Sequence, residues 1–143
     1  MKLWDASAIL PLCLQEPQTP HLKKLSARDG AVAAWWGTLV ECYSALARLR
    51  RDESLNPADE TQARTVLHAL MTAWTEIEPS VVVREQAGRV LLLHPLRAAD
   101  ALQLAAAIVW ANGQASEHEF VCLDHRLRDA AQREGFTVLP KQF

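Results

Sequence analysis

Phe120-Val121-Cys122-Leu123-Asp124-His125-Arg126-Leu127-Arg128-Asp129 is the stretch on which the fold turns. Four apolar residues in a row are too few for a helix and suit a strand buried on both faces. Asp124 then stands where a helix N-cap belongs, and a helix is predicted to run to Glu134 and be closed by Gly135. Residues 136–139 read as a last strand.

The same alternation recurs upstream. Leu3-Trp4 begins a short apolar strand, and Asp5-Ala6-Ser7 opens a helix through Leu14. Pro17 and Pro20 mark a loop, followed by a short helical turn over residues 22–25. Ala31-Val32-Ala33-Ala34-Trp35-Trp36 fits a buried strand closed by Gly37, and Thr38 starts a helix running to about Arg51. Asn56-Pro57 pairs a cap with proline at the first helical position, ahead of Ala63, Val66, Leu67, Leu70, Met71 and Trp74 at helical spacing. That stripe suits a core or a subunit interface. A short strand over 75–77, a helix over 79–93 and an Ala-rich helix over 97–111 complete the pattern. Short apolar strands separated by helices predict an α/β fold: one domain over 1–143, three-layer α/β/α, with a mainly parallel central sheet.

Composition narrows the function classes. Half of the 143 residues are hydrophobic and 22% are charged, which excludes intrinsic disorder. The longest apolar run, over 104–111, is too short to span a bilayer. Asp5 falls where a signal peptide needs its apolar stretch, so a cytoplasmic protein without a membrane partner is expected. Seventeen acids against fifteen bases leave a net charge of −2, without a global basic field. Cys13, Cys42 and Cys122 lie far apart without zinc spacing and are expected to be buried, reduced thiols.

Four carboxylates carry the chemistry. Asp5 and Asp124 each follow a strand and precede a helix, which places them on the rim where ligands bind in open α/β sheets. Glu41 lies one turn into the helix after the second strand, and Asp100 lies in the first turn of the Ala-rich helix. Each has a local explanation as well. Asp5 and Asp124 suit N-caps, Thr38-x-x-Glu41 matches a capping box, and Asp100 complements a helix dipole. Gathered at one end of the sheet, four carboxylates would repel and raise one another's pKa, an arrangement that makes sense around a cation. Oxygen ligands without His or Cys favour Mg²⁺ or Mn²⁺, and such a site hydrolyses phosphodiesters with a metal-activated water.

Leu3-Trp4-Asp5-Ala6-Ser7, the segment Trp35 to Arg48, Leu96-Arg97-Ala98-Ala99-Asp100-Ala101-Leu102-Gln103-Leu104-Ala105, and Phe120 to Ala131 together resemble PIN domains. The nearest likeness is to VapC toxins of bacterial toxin–antitoxin pairs, and it covers essentially the whole chain. By position, Asp5, Glu41, Asp100 and Asp124 match the family's acidic, metal-holding and catalytic site, and Ser7 matches a hydroxyl often found beside the first Asp. The resemblance implies a Mg²⁺- or Mn²⁺-dependent endoribonuclease acting on a structured RNA, as a homodimer inhibited by a cognate antitoxin. Some relatives carry a further acid shortly after the fourth. Here His125-Arg126 follow and the next acid is Asp129, which leaves one or two ions open.

Arg126 and Arg128, together with Ser7, are the candidate substrate contacts. Arg48, Arg50 and Arg51 suit either phosphate contact or solvated charge at a helix C-terminus. His125 suits a proton donor or a solvent-facing first-turn residue. A haloacid-dehalogenase-type phosphatase would need an acid where Ser7 stands, and a receiver domain would need an acidic pair and a late lysine. The rival readings that remain are a non-toxin PIN nuclease and a catalytically inactive PIN-fold module that binds RNA or protein.

Overall fold

In a computed structural model describing residues 1–143, β1 (Lys2–Trp4) occupies the centre of a sheet. It pairs in parallel with β2 (Val32–Trp35) on one side and with β4 (Glu119–Val121) on the other. β3 (Thr75–Ile77) lies beyond β2 and β5 (Thr137–Leu139) beyond β4, giving the all-parallel order β3-β2-β1-β4-β5. Register fixes Leu3 opposite Ala33 and Phe120, and Trp4 opposite Val121.

Successive strand side chains point to opposite faces, and this alternation divides the core in two. Leu3, Ala33 and Phe120 face α5 (Val81–Leu93), α6 (Ala98–Ala111) and α7 (His125–Arg133). Trp4, Ala34 and Val121 face α1 (Ala6–Cys13), α2 (Thr19–Asp29), α3 (Thr38–Arg51) and α4 (Pro57–Ala73). The result is the expected three-layer α/β/α arrangement. Of the stripe on α4, Ala63, Leu67 and Trp74 are buried in the core, with Val66, Leu70 and Met71 packed at its edge. Cys13, Cys42 and Cys122 are buried and unbridged. No single helix is long and apolar enough to cross a membrane.

One element is longer than its sequence suggested. The loop and short turn expected around Pro20 form the 11-residue α2. Pro20 sits in the first turn, where its missing N–H is not needed. The Thr19 hydroxyl ties that turn to the carbonyls of Pro11 and Leu14, and Gly30 ends the helix at φ 62°. Only Thr19, Leu22 and Leu25 of α2 are buried, so the rest of its pattern reads as polar loop. A short 3₁₀ turn over Ala115–Glu117, also unforeseen, leads into β4.

Candidate active site

Because β1, β2 and β4 are parallel, the residues leaving their C-terminal ends arrive on one rim. The Asp5 amide donates to the Val121 carbonyl at 2.9 Å, which sets the first carboxylate against the end of β4. Asp5 is 4% exposed and caps α1. Its Oδ2 accepts from the Ser7 amide at 3.1 Å and from the Ser7 hydroxyl, with the Cys122 thiol 3.6 Å away. Ser7 Oγ in turn accepts from the Leu123 amide at 2.9 Å. All these contacts fall on Oδ2, leaving Oδ1 for another partner. Burial raises the Asp5 pKa, opposed by the Ser7 hydroxyl, the Ser7 and Ala6 amides and the Cys122 thiol.

Asp124 caps α7, its Oδ1 accepting from the Leu127 amide at 3.0 Å. Glu41 is different. The capping box does not form, because Gly37 is already helical at φ −73°, ψ −12° and Thr38 lies inside the helix. The Glu41 amide bonds the Gly37 carbonyl at 3.1 Å, and the Thr38 hydroxyl accepts from Gln103 Nε2 at 2.7 Å. The Glu41 side chain is thereby free of the backbone. Burial, then the charges of Asp5 and Asp100, push its pKa up to about 8 against the lowering effect of the Gln103 amide. Asp100, in the first turn of α6, is raised by burial and by Asp124 and Asp5, and is pulled down by Arg97 and Arg126.

These mutual effects bring all four predicted carboxylates into one electrostatic group, and none of them belongs to an ion pair. The donor set, carboxylate oxygens on like-charged groups from buried Asp5 to exposed Asp124, fits a hard divalent cation. The side chains do not stand in a closed ligand cage: no three Asp, Glu, His or Cys residues converge in metal-holding geometry. Two of the four turn toward helix N-termini instead, as repelling carboxylates do when amide dipoles are the nearest positive charge.

The other predicted contacts divide. Arg126 is exposed beside Asp100, with its guanidinium available to a phosphate. Ser7 is engaged inside the protein, holding Asp5 to the end of β4. Arg128 requires a correction as a substrate contact. It is buried and donates to the carbonyls of Cys122 and Pro140, each at 2.7 Å, beneath the Phe143 ring. His125 is exposed and stacks on Phe143 at 5.2 Å. Arg50 pairs with Glu60 at the far end of α3.

Two residues of the site escaped the sequence reading, Arg97 and Gln103. Gln103 lies three residues after Asp100, the spacing that stacks side chains on one helix face, and Arg97 is the extended residue that opens the same helix. A cleft of about 820 Å³ lies elsewhere, between α2 and the chain after β5, and contains none of the four carboxylates.

No family model matches the chain. Two curated relatives from Mycobacterium tuberculosis, ribonuclease VapC45 of strain CDC 1551 and ribonuclease VapC49 of strain H37Rv, are each 31% identical over 141 residues. In both cases the match spans 97% of this chain and 94% of the relative. The chain belongs to the VapC ribonuclease family. Solved structures agree on the fold. PAE2754 from Pyrobaculum aerophilum aligns with a TM-score of 0.68 at 20% identity, over 96% of this chain and 83% of that one. VapC20 of M. tuberculosis, described as a toxin that cleaves the sarcin–ricin loop, aligns at 0.66 with 19% identity, over 91% and 95%. A toxin–antitoxin complex from Klebsiella pneumoniae aligns at 0.59 with 17% identity, over 87% of each chain. Against this VapC framework, the acidic group on the sheet rim is the feature to explain chemically.

Proposed function

We propose that this VapC-family chain is a Mg²⁺- or Mn²⁺-dependent endoribonuclease, the toxin of a toxin–antitoxin pair, whose Asp5, Glu41, Asp100 and Asp124 form the catalytic metal site. One observation carries the reading. Asp5 and Asp124 cap helices, but Glu41 and Asp100 cap nothing and join no ion pair, and their pKa values are raised by burial first and then by neighbouring carboxylates. A folded chain keeps repelling carboxylates half-buried when something else compensates them.

A divalent cation bound there supplies Lewis acidity and positive charge at the phosphoryl group. The chain's own residues do the rest. Ser7 fixes Asp5 with one oxygen still free, and Arg97 and Arg126 offer donors to phosphate oxygens beside Asp100. Two further proposals concern partners. Trp36 and Val40, exposed beside the start of α3, give the acidic rim an apolar border suited to an antitoxin segment that carries both basic and apolar residues. Val81 and Val82 at the start of α5 and Leu92 and Leu93 at its end are exposed apolar side chains suited to a homodimer contact.

Calorimetric titration with Mn²⁺ tests the core of this reading. Wild type should bind, Asp100→Asn and Glu41→Gln should lose binding, and EDTA should abolish RNA cleavage. Absence of binding to wild type at millimolar Mn²⁺ would leave a PIN-fold binding module in which Asp5 and Asp124 serve only as caps.

A further inference from the structure

Gln103 is fully buried, and so is Thr38. Gln103 Nε2 donates to Thr38 Oγ1 at 2.7 Å, while its Oε1 has no hydrogen-bond partner. An orphaned amide oxygen in a core is unfavourable, and a leucine of similar size would fold at least as well there. The amide therefore answers to something other than stability. Its neighbours indicate what. Gln103 lies one turn beyond Asp100 on α6, and Thr38 lies one turn before Glu41 on α3. Their hydrogen bond thus ties the first turn of α3, which carries Glu41, to α6 one turn beyond Asp100. Rotating the amide would direct its oxygen at Thr38 and its neighbour Glu41, placing lone pairs against a carboxylate.

We propose that Gln103 is a positioning residue: its amide, anchored on Thr38, orients Glu41 toward Asp100 for a shared cation. The inference rests on the metal-dependent reading above and adds the group that pre-organises its two least constrained ligands. Groups that orient metal-ligating carboxylates commonly change affinity when removed, by about 10–100-fold.

The test pairs Mn²⁺ titration with thermal melting in metal-free buffer, on wild type, Gln103→Leu, Thr38→Val and Thr38→Ser. The expected result is a Kd about tenfold or more weaker in Gln103→Leu and in Thr38→Val, with a Gln103→Leu melting temperature equal to or above wild type. Thr38→Ser, which keeps the hydroxyl, should bind like wild type. The double variant Thr38→Val/Gln103→Leu should be no worse than either single one, because both remove the same link. Wild-type affinity in folded Gln103→Leu overturns the proposal and leaves the metal site standing. If Gln103→Leu does not fold, Thr38→Val, nearly isosteric, decides in the same way. Failure of wild type itself to bind Mn²⁺ overturns both this proposal and the reading beneath it.

Discussion

Asp5 combines two tasks that one substitution separates. Asparagine caps a helix about as well as aspartate, whereas alanine does not. Asp5→Asn should therefore abolish Mn²⁺ binding and leave the melting temperature at or above wild type, since it also removes a buried charge. Asp5→Ala should lose binding and about 0.5–2 kcal/mol of stability as well. Equal melting of the two variants would show that the cap contributes nothing. Glu41 gives a pH signature. Its pKa rises from an ordinary 4.5 to about 8 in the folded protein, by burial first and then by Asp5 and Asp100. Between those values the native state binds its proton more tightly than the unfolded chain does, so stability must fall as pH rises through that window. Urea midpoints measured in EDTA should decline toward pH 8 in wild type, and more gently in Glu41→Gln. Added Mn²⁺ should flatten the wild-type curve, because it favours the charged form.

At the scale of elements, the start of α3 carries the tightest constraint. A Cβ on Gly37 would lie 2.5 Å from Trp35 Nε1 and 3.0 Å from its Cδ1. The Trp35 ring is 6% exposed in the core and has little room to yield. Gly37→Ala should destabilise by about 1–3 kcal/mol and, by shifting the turn that bears Glu41, weaken Mn²⁺ binding too. Unchanged melting would mean that the ring has space which its packing does not suggest. This same turn shows where sequence stops being informative. Thr38 as a helix start was readable locally, but the partner of its hydroxyl, Gln103, lies 65 residues away. Arg128 was misread for a similar reason. Its acceptors include a carbonyl beyond β5, so nothing local distinguishes it from its exposed neighbour Arg126. Asp5 and Asp124 follow a local strand–acid–helix pattern that parallel topology sends to one rim, whereas Glu41 and Asp100 lie inside the first turns of α3 and α6 and follow no such pattern.

For the whole molecule, the division of the core follows directly from continuously apolar strands, and the sheet order fits a domain whose consecutive units wind onto both faces. Quaternary structure was not readable in this way, because an apolar stripe looks the same whether a helix or a second copy covers it. The stripe on α4 went to the core, while the outer face of α5 did not. Leu92, 88% exposed, is the most uncovered large apolar side chain there. Sedimentation should give twice the monomer mass for wild type, and Leu92→Glu should halve it. A monomeric wild type at tens of micromolar would remove the dimer from consideration.

The central place of β1 has a temporal consequence. Its partner β4 is separated from it by more than a hundred residues, so a growing polypeptide carries an unpaired inner edge until late in translation. Asp124 and the Val121 carbonyl that seats Asp5 both come from this late segment. A partly made chain therefore lacks the assembled rim, and the four carboxylates come together only when the polypeptide is nearly complete.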